Sequence, residues 1–133
     1  MGGTALISIV DDDESIRTAL RRLLKTVGFE VDIFASAEEF LDSGNFEASE
    51  CLILDLMMPG LDGLELQSKL ISNNCELPTI FLSAHKNDQV RDQALKAGAI
   101  SFLDKPFSED ILIRDVNIAI EQHRQHANFE GKR

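Results

Sequence analysis

Short, almost unbroken apolar runs constrain this chain more than any other feature: Ile7-Ser8-Ile9-Val10, Cys51-Leu52-Ile53-Leu54, Thr79-Ile80-Phe81-Leu82 and Ile100-Ser101-Phe102-Leu103. Runs of this length suit strands, and strands apolar on both faces need helices covering both faces. The segments between them carry helical spacing. Ile16, Leu20, Leu23, Leu24 and Val27 recur along one side of Ser15–Val27, which Gly28 stops. Phe29–Phe34 alternates as another strand, with Val31 and Ile33 facing one way. Ser36-Ala37-Glu38-Glu39 has the pattern of a capping box and opens a short helix anchored by Phe40 and Leu41. Leu64, Leu66, Leu70 and Ile71 mark a third helix, and Asn87–Ala97 a fourth, closed by Gly98. A last strand over Ala99–Leu103 leads to a final helix from about Ser108 to His123. Five strands in strict alternation with five helices predict a doubly wound α/β sandwich of three layers, with a parallel sheet in the middle.

The residues just past each run then matter, because parallel strands deliver their carboxyl ends to one rim, where such folds bind ligands. Asp11-Asp12 follows the first run, Asp55 the run from Cys51, Ser83 the run from Thr79, and Asp104-Lys105-Pro106 the last. Three carboxylates about 4 Å apart repel by roughly 4 kcal/mol per pair at an effective dielectric near 20, and a bound cation relieves this. With no histidine or thiol placed to favour a softer metal, the donors indicate a hard ion such as Mg²⁺. The block Asp11-Asp12-Asp13-Glu14 is more acid than a helix start needs.

Composition excludes some classes. The 133 residues suffice for one domain with its own core, and the net charge of −10 argues against direct binding to nucleic acid. No stretch approaches the roughly 20 apolar residues of a membrane span, and Met1-Gly2-Gly3 lacks the basic start of a signal peptide. Cys51 opens an apolar strand and Cys75 lies in a polar stretch, so reduced thiols and a cytoplasmic location are expected. The polar, charge-mixed end predicts a folded unit over residues 4–124 and a tail or start of a linker over 125–133.

Val10-Asp11-Asp12, Asp55-Leu56-Met57-Met58-Pro59-Gly60, Asp62-Gly63, Ser83-Ala84, Lys96-Ala97-Gly98-Ala99 and Lys105-Pro106-Phe107 occur in order and at characteristic separations. Together they resemble the receiver domain of two-component response regulators, closest in loop motifs to receivers that precede a helix-turn-helix output domain. The resemblance implies a flavodoxin-like (βα)5 fold with strand order 2-1-3-4-5. It implies that Asp55 accepts a phosphoryl group from a sensor histidine kinase or phosphotransfer protein, so the domain is a phosphoacceptor rather than an enzyme. It further implies Mg²⁺ held by Asp12, Asp55 and the backbone carbonyl of Met57, with Asp11 mainly outside the coordination sphere. Ser83, the backbone of Ala84 and Lys105 would bind the phosphoryl group, and Lys105-Pro106 would be a cis peptide. Ser83 and Phe102 would form the switch, and Met57 and His85 would tune dephosphorylation.

On the final helix Leu112, Val116, Ala119 and Ile120 form a core stripe, which leaves Ile111 and Ile118 roughly 130° or more away from it. Those two residues mark a dimer or partner face on the surface built from the fourth helix, fifth strand and fifth helix. A rival reading is a haloacid-dehalogenase-like phosphohydrolase, because Asp11-x-Asp13 resembles its nucleophile motif. That reading leaves Asp55 idle and must find its late acidic pair in Glu109-Asp110, where a helix should start.

Overall fold

Strand β1 (Leu6–Val10) lies between β2 (Glu30–Phe34) and β3 (Cys51–Asp55); β4 (Thr79–Ser83) and β5 (Ser101–Asp104) extend the sheet beyond β3. All pairings are parallel, in the order β2-β1-β3-β4-β5, which is the flavodoxin-like order expected. The computed structural model describes residues 4–44, 46–84 and 87–131. Helices α1 (Glu14–Val27), α2 (Ala37–Ser43), α3 (Gly63–Ser72), α4 (Asp88–Lys96) and α5 (Glu109–Gly131) connect and flank the strands.

Strand alternation divides the interior into two cores. Ile7, Ile9, Ile53, Ile80 and Leu82 pack with Leu20 and Leu24 of α1 and with Leu112, Val116, Ala119 and Ile120 of α5. Val10, Leu52, Leu54, Phe81 and Phe102 turn the other way, onto Phe40 of α2, Leu66 and Leu70 of α3 and Ala94 of α4. Val31 and Ile33 join the first group and Phe34 the second, as the alternation of β2 requires. Each fully buried Leu, Ile or Phe contributes roughly 1.5–3 kcal/mol of transfer free energy. Paired buried polar groups interrupt the apolar cover, as where Ser8 Oγ and Ser49 Oγ share a hydrogen bond of 2.5 Å and Gln67 Nε2 donates to Ala94 O at 3.1 Å.

Element ends depart from the sequence reading for physical reasons. The amides of Phe29 and Ala99 bond back to Leu24 and Ala94 at 3.1 Å each. Both residues therefore finish a helix, and β2 and β5 begin later than expected, at Glu30 and Ser101. Helix α5 continues past His123, the end expected from the sequence, to Gly131. No proline interrupts the helix there, and Arg124 grips Glu50 at 2.7 and 3.0 Å, fastening the helix to the start of β3.

At the carboxyl rim, α3 begins directly beneath the end of β3. The Gly63 amide donates to Leu56 O at 3.0 Å, and Asp62 caps the helix in a reciprocal capping box with Glu65. A Cβ on Gly63 would lie 2.6 Å from Asp55 O and 3.0 Å from Leu56 Cα, both backbone atoms. Gly63→Ala is therefore expected to destabilise the domain by about 1–3 kcal/mol in urea titration, through overpacking against the strand that carries Asp55.

Candidate functional site

Register brings the acids together. Val10 pairs with Leu54 and Asp55 with Leu82, so the residues after β1 face the end of β3. Asp11 is 1% exposed and Asp55 5%, whereas Asp12 is exposed at the rim. Carboxylate oxygens of the three lie within 4.8 Å of one another. Lys105 reaches in from the loop after β5, its Nζ 3.0 Å from Asp11 Oδ2 and 3.4 Å from Asp55 Oδ1. The Lys105 amide donates to Ser83 O at 2.7 Å, and the Lys105–Pro106 peptide is cis.

Electrostatics follow from crowding two buried charges against one ammonium. Burial, then the charge of Asp11, push the Asp55 carboxyl up to about 7; the Lys105 charge opposes this, and a hydrogen bond with Asp12 adds to the rise. Burial alone would depress the Lys105 ammonium, but hydrogen bonding and charge from Asp11 and then Asp55 raise it instead. Without a bound metal ion, Asp55 therefore releases its proton at a higher pH than an exposed aspartate does. Such a donor set suits a hard divalent ion.

The other expected residues fall around this cluster. Ser83 is fully buried at the end of β4, and Ala84 is exposed beside it. Met57 is 60% exposed next to the site, while its neighbours Leu56 and Met58 are buried. Phe102 is in the core, its ring 6.0 Å from that of Phe81. His85 lies outside the described residues.

Two contacts go beyond what the sequence suggests. Arg17 Nη1 donates to Asp11 O at 2.8 Å, and Glu38 Oε2 accepts from the Leu61 amide at 3.0 Å. Both residues look like ordinary solvated helix positions; only the packing of α1 and α2 against the rim discloses their targets. Asp13, the second acid of the rival phosphohydrolase motif, caps α1 instead, with its Oδ1 accepting from Ser15 N at 2.8 Å. Its carboxylate is thus spent on the helix, and Asp55 occupies the cluster that the rival reading left without it.

Comparison with known proteins agrees with this geometry. The family model of the response regulator receiver domain matches residues 7–117. The chain belongs to that family. Among curated proteins, the receiver is 40% identical over 121 residues to Nodulation protein W of Bradyrhizobium diazoefficiens, covering 91% of this chain and 53% of that protein. It is 38% identical to the response regulator protein TodT of Pseudomonas putida, covering 92% of this chain and 56% of TodT. The chain thus spans about half the length of the curated relatives it matches. Among solved structures, the response regulator StyR superposes with a TM-score of 0.92 at 37% identity, over 98% of this chain and 66% of that one. FixJ-N superposes at 0.81 with 33% identity, over 90% and 96%. The receiver is a signalling domain of two-component response regulators.

The raised Asp55 carboxyl carries a sign for stability. Between the ordinary value of 3.8 and about 7, the folded state holds a proton that the unfolded state has lost. Its contribution is complete at low pH and disappears as pH rises through 7. In metal-free buffer, Asp55→Asn should stabilise the receiver at pH 8 by about 2 kcal/mol, part of the roughly 4 kcal/mol that such a shift allows, and should flatten the decline of the urea midpoint from pH 5 to 8.

Proposed function

We propose that this receiver accepts a phosphoryl group on Asp55 from a sensor histidine kinase or phosphotransfer protein and passes the signal through its α4–β5–α5 surface. The observation that carries the reading is the meeting of Asp11, Asp12 and Asp55 within 4.8 Å, with the Lys105 ammonium beside two of them. An Asp55 Oδ would attack the phosphorus of a phosphohistidine; the new O–P bond gives an acyl phosphate, and the P–N electron pair leaves with the imidazole. Lys105 is a compact point charge that would stabilise the phosphoryl oxygens during transfer, and the Ala84 amide would add a hydrogen bond.

Asp12, Asp55 and the Met57 carbonyl would hold Mg²⁺, with Asp11 mainly orienting the site from outside the coordination sphere. When bound, the ion supplies charge neutralisation for the crowded carboxylates and the incoming phosphate. Met57 and His85 lie two residues beyond Asp55 and Ser83 in the sequence, positions from which side chains would regulate the approach of water to the acyl phosphate. Self-catalysed phosphorylation and dephosphorylation would make this a phosphoacceptor rather than an enzyme with turnover.

The switch rests on Ser83 and Phe102. A dianionic phosphoryl group offers strong acceptors, so the Ser83 hydroxyl would turn toward it and draw the following loop inward. Phe102 pairs with Phe81 across β4 and β5, and its ring would respond to that movement. This requires only that the phosphoryl group bind one conformer better than the other. Ile111 and Ile118, 40% and 46% exposed on α5, would then serve a dimer or partner contact.

Relatives bear names such as Transcriptional regulatory protein TdiR and FixJ, which supports regulation of transcription as the downstream role, exerted through an output domain. A cytoplasmic location and a receiver unit over residues 4–124, with 125–133 as a tail or start of a linker that α5 enters, complete the proposal; no described helix is long and apolar enough to cross a membrane.

Acetyl phosphate with Mg²⁺, followed by intact mass, tests the chemistry directly. Wild type should gain one phosphoryl group, Asp55→Asn none, and Lys105→Ala should slow the reaction by roughly 100-fold. Loss of modification in Asp11→Asn together with its survival in Asp55→Asn would overturn the assignment in favour of the phosphohydrolase. For the surface, Ile118→Glu should abolish phosphorylation-dependent self-association in sedimentation velocity while leaving phosphorylation intact.

A further inference from the structure

The loop after Asp55 has an outside support. Its start is fixed by the Leu56 amide on Leu82 O at 2.9 Å, and its end by the Gly63 amide on Leu56 O and the Asp62–Glu65 capping box. Between these ends Met57 projects into solvent, while buried Met58 anchors one side of the peptide that carries the Met57 carbonyl and leaves the Pro59–Leu61 side to be held from elsewhere. Glu38 acts on the far side of this loop. It lies in the first turn of α2, which Ser36 caps and which buried Ala37 and Phe40 anchor to the sheet. From that platform its Oε2 accepts from Leu61 N at 3.0 Å.

The Glu38 carboxylate also lies close over Gly60. A Cβ on Gly60 would lie 2.7 Å from Glu38 Oε2 and 3.5 Å from Cδ, and Gly60 has φ +75. A side chain there would therefore be strained by the backbone and would also meet the carboxylate. The Leu61 hydrogen bond, and then that from the amide of Glu38 itself, hold the Glu38 carboxyl below the usual carboxylate range. The loop is thus gripped by the ionised form, in a charge-assisted hydrogen bond.

We propose that Glu38 is a positioning residue for the metal site: by holding the Gly60–Leu61 turn, its carboxylate sets where the Met57 carbonyl stands relative to Asp55. The inference rests on the reading given above, in which that carbonyl and Asp55 hold Mg²⁺. Groups that orient metal ligands from outside the coordination sphere typically change affinity 10- to 100-fold. Glu38 acts one step further out, through the turn, so a smaller effect is expected.

Two variants separate the hydrogen bond from the charge. Glu38→Gln loses the charge but keeps an amide oxygen that can accept from Leu61 N, whereas Glu38→Ala loses both. The chain has no Trp or Tyr, so Mg²⁺ binding to the whole folded protein is read by isothermal titration calorimetry, with urea stability measured alongside. Glu38→Ala should weaken Mg²⁺ binding about 5-fold, and Glu38→Gln should stay within about 2-fold of wild type. Equal Mg²⁺ affinity in wild type and Glu38→Ala overturns the positioning role, as does a Glu38→Gln loss as large as that of Glu38→Ala, which would assign the effect to charge alone. Absence of Mg²⁺ binding and of phosphorylation by acetyl phosphate in wild type would instead remove the underlying metal reading.

Discussion

Asp11 and Asp55 are held side by side almost out of reach of water, and the ammonium of Lys105 is the positive group that meets them both. Two carboxylates against one ammonium, with the exposed Asp12 nearby, leave an excess of negative charge in a place where water screens it poorly. The consequence is visible in Asp55, whose carboxyl is pushed up to about 7 by burial and by Asp11. A site of this kind is poised for positive charge. The parallel sheet is what allows it, because the two cores beneath supply the rigidity that keeps like charges from moving apart.

The rim is then positioned by contacts that are polar and local. Arg17 holds the Asp11 backbone, Glu38 the Leu61 amide, and the bare Gly63 lets α3 start against Asp55 O. These contacts come from α1, α2 and α3, so the site is supported by helices on both faces of the sheet. The same packing decides between rival chemistries. Asp11 and Asp13 are equally acidic in sequence, yet one is buried in the cluster and the other caps a helix in solvent.

Legibility tracks the range of the interaction concerned. The apolar runs and the α1 and α5 stripes are readable because burial repeats with the period of the element, and Leu112, Val116, Ala119 and Ile120 are indeed the buried side of α5. Asp11, Asp12, Asp55, Ser83 and Lys105 can be placed on one rim because each lies at or just past the carboxyl end of an apolar run. Residue types alone start two strands too early, at Phe29 and Ala99, since an amide returning to the preceding helix leaves no mark in the side chain. The continuation of α5 beyond His123 depends partly on Arg124 finding Glu50, a pair 74 positions apart.

The order of residues was enough for the alternation of strands and helices, the faces they bury and the identity of the groups at the strand ends. Those come from periodicity and from the chemistry of single side chains, which act over a few residues. Packing in three dimensions settles the rest: which acids lose their water, which ammonium joins them and that Glu38 and Arg17 reach the rim at all. Such outcomes depend on distances between segments far apart in the chain, and no local pattern of residues encodes a distance of that kind.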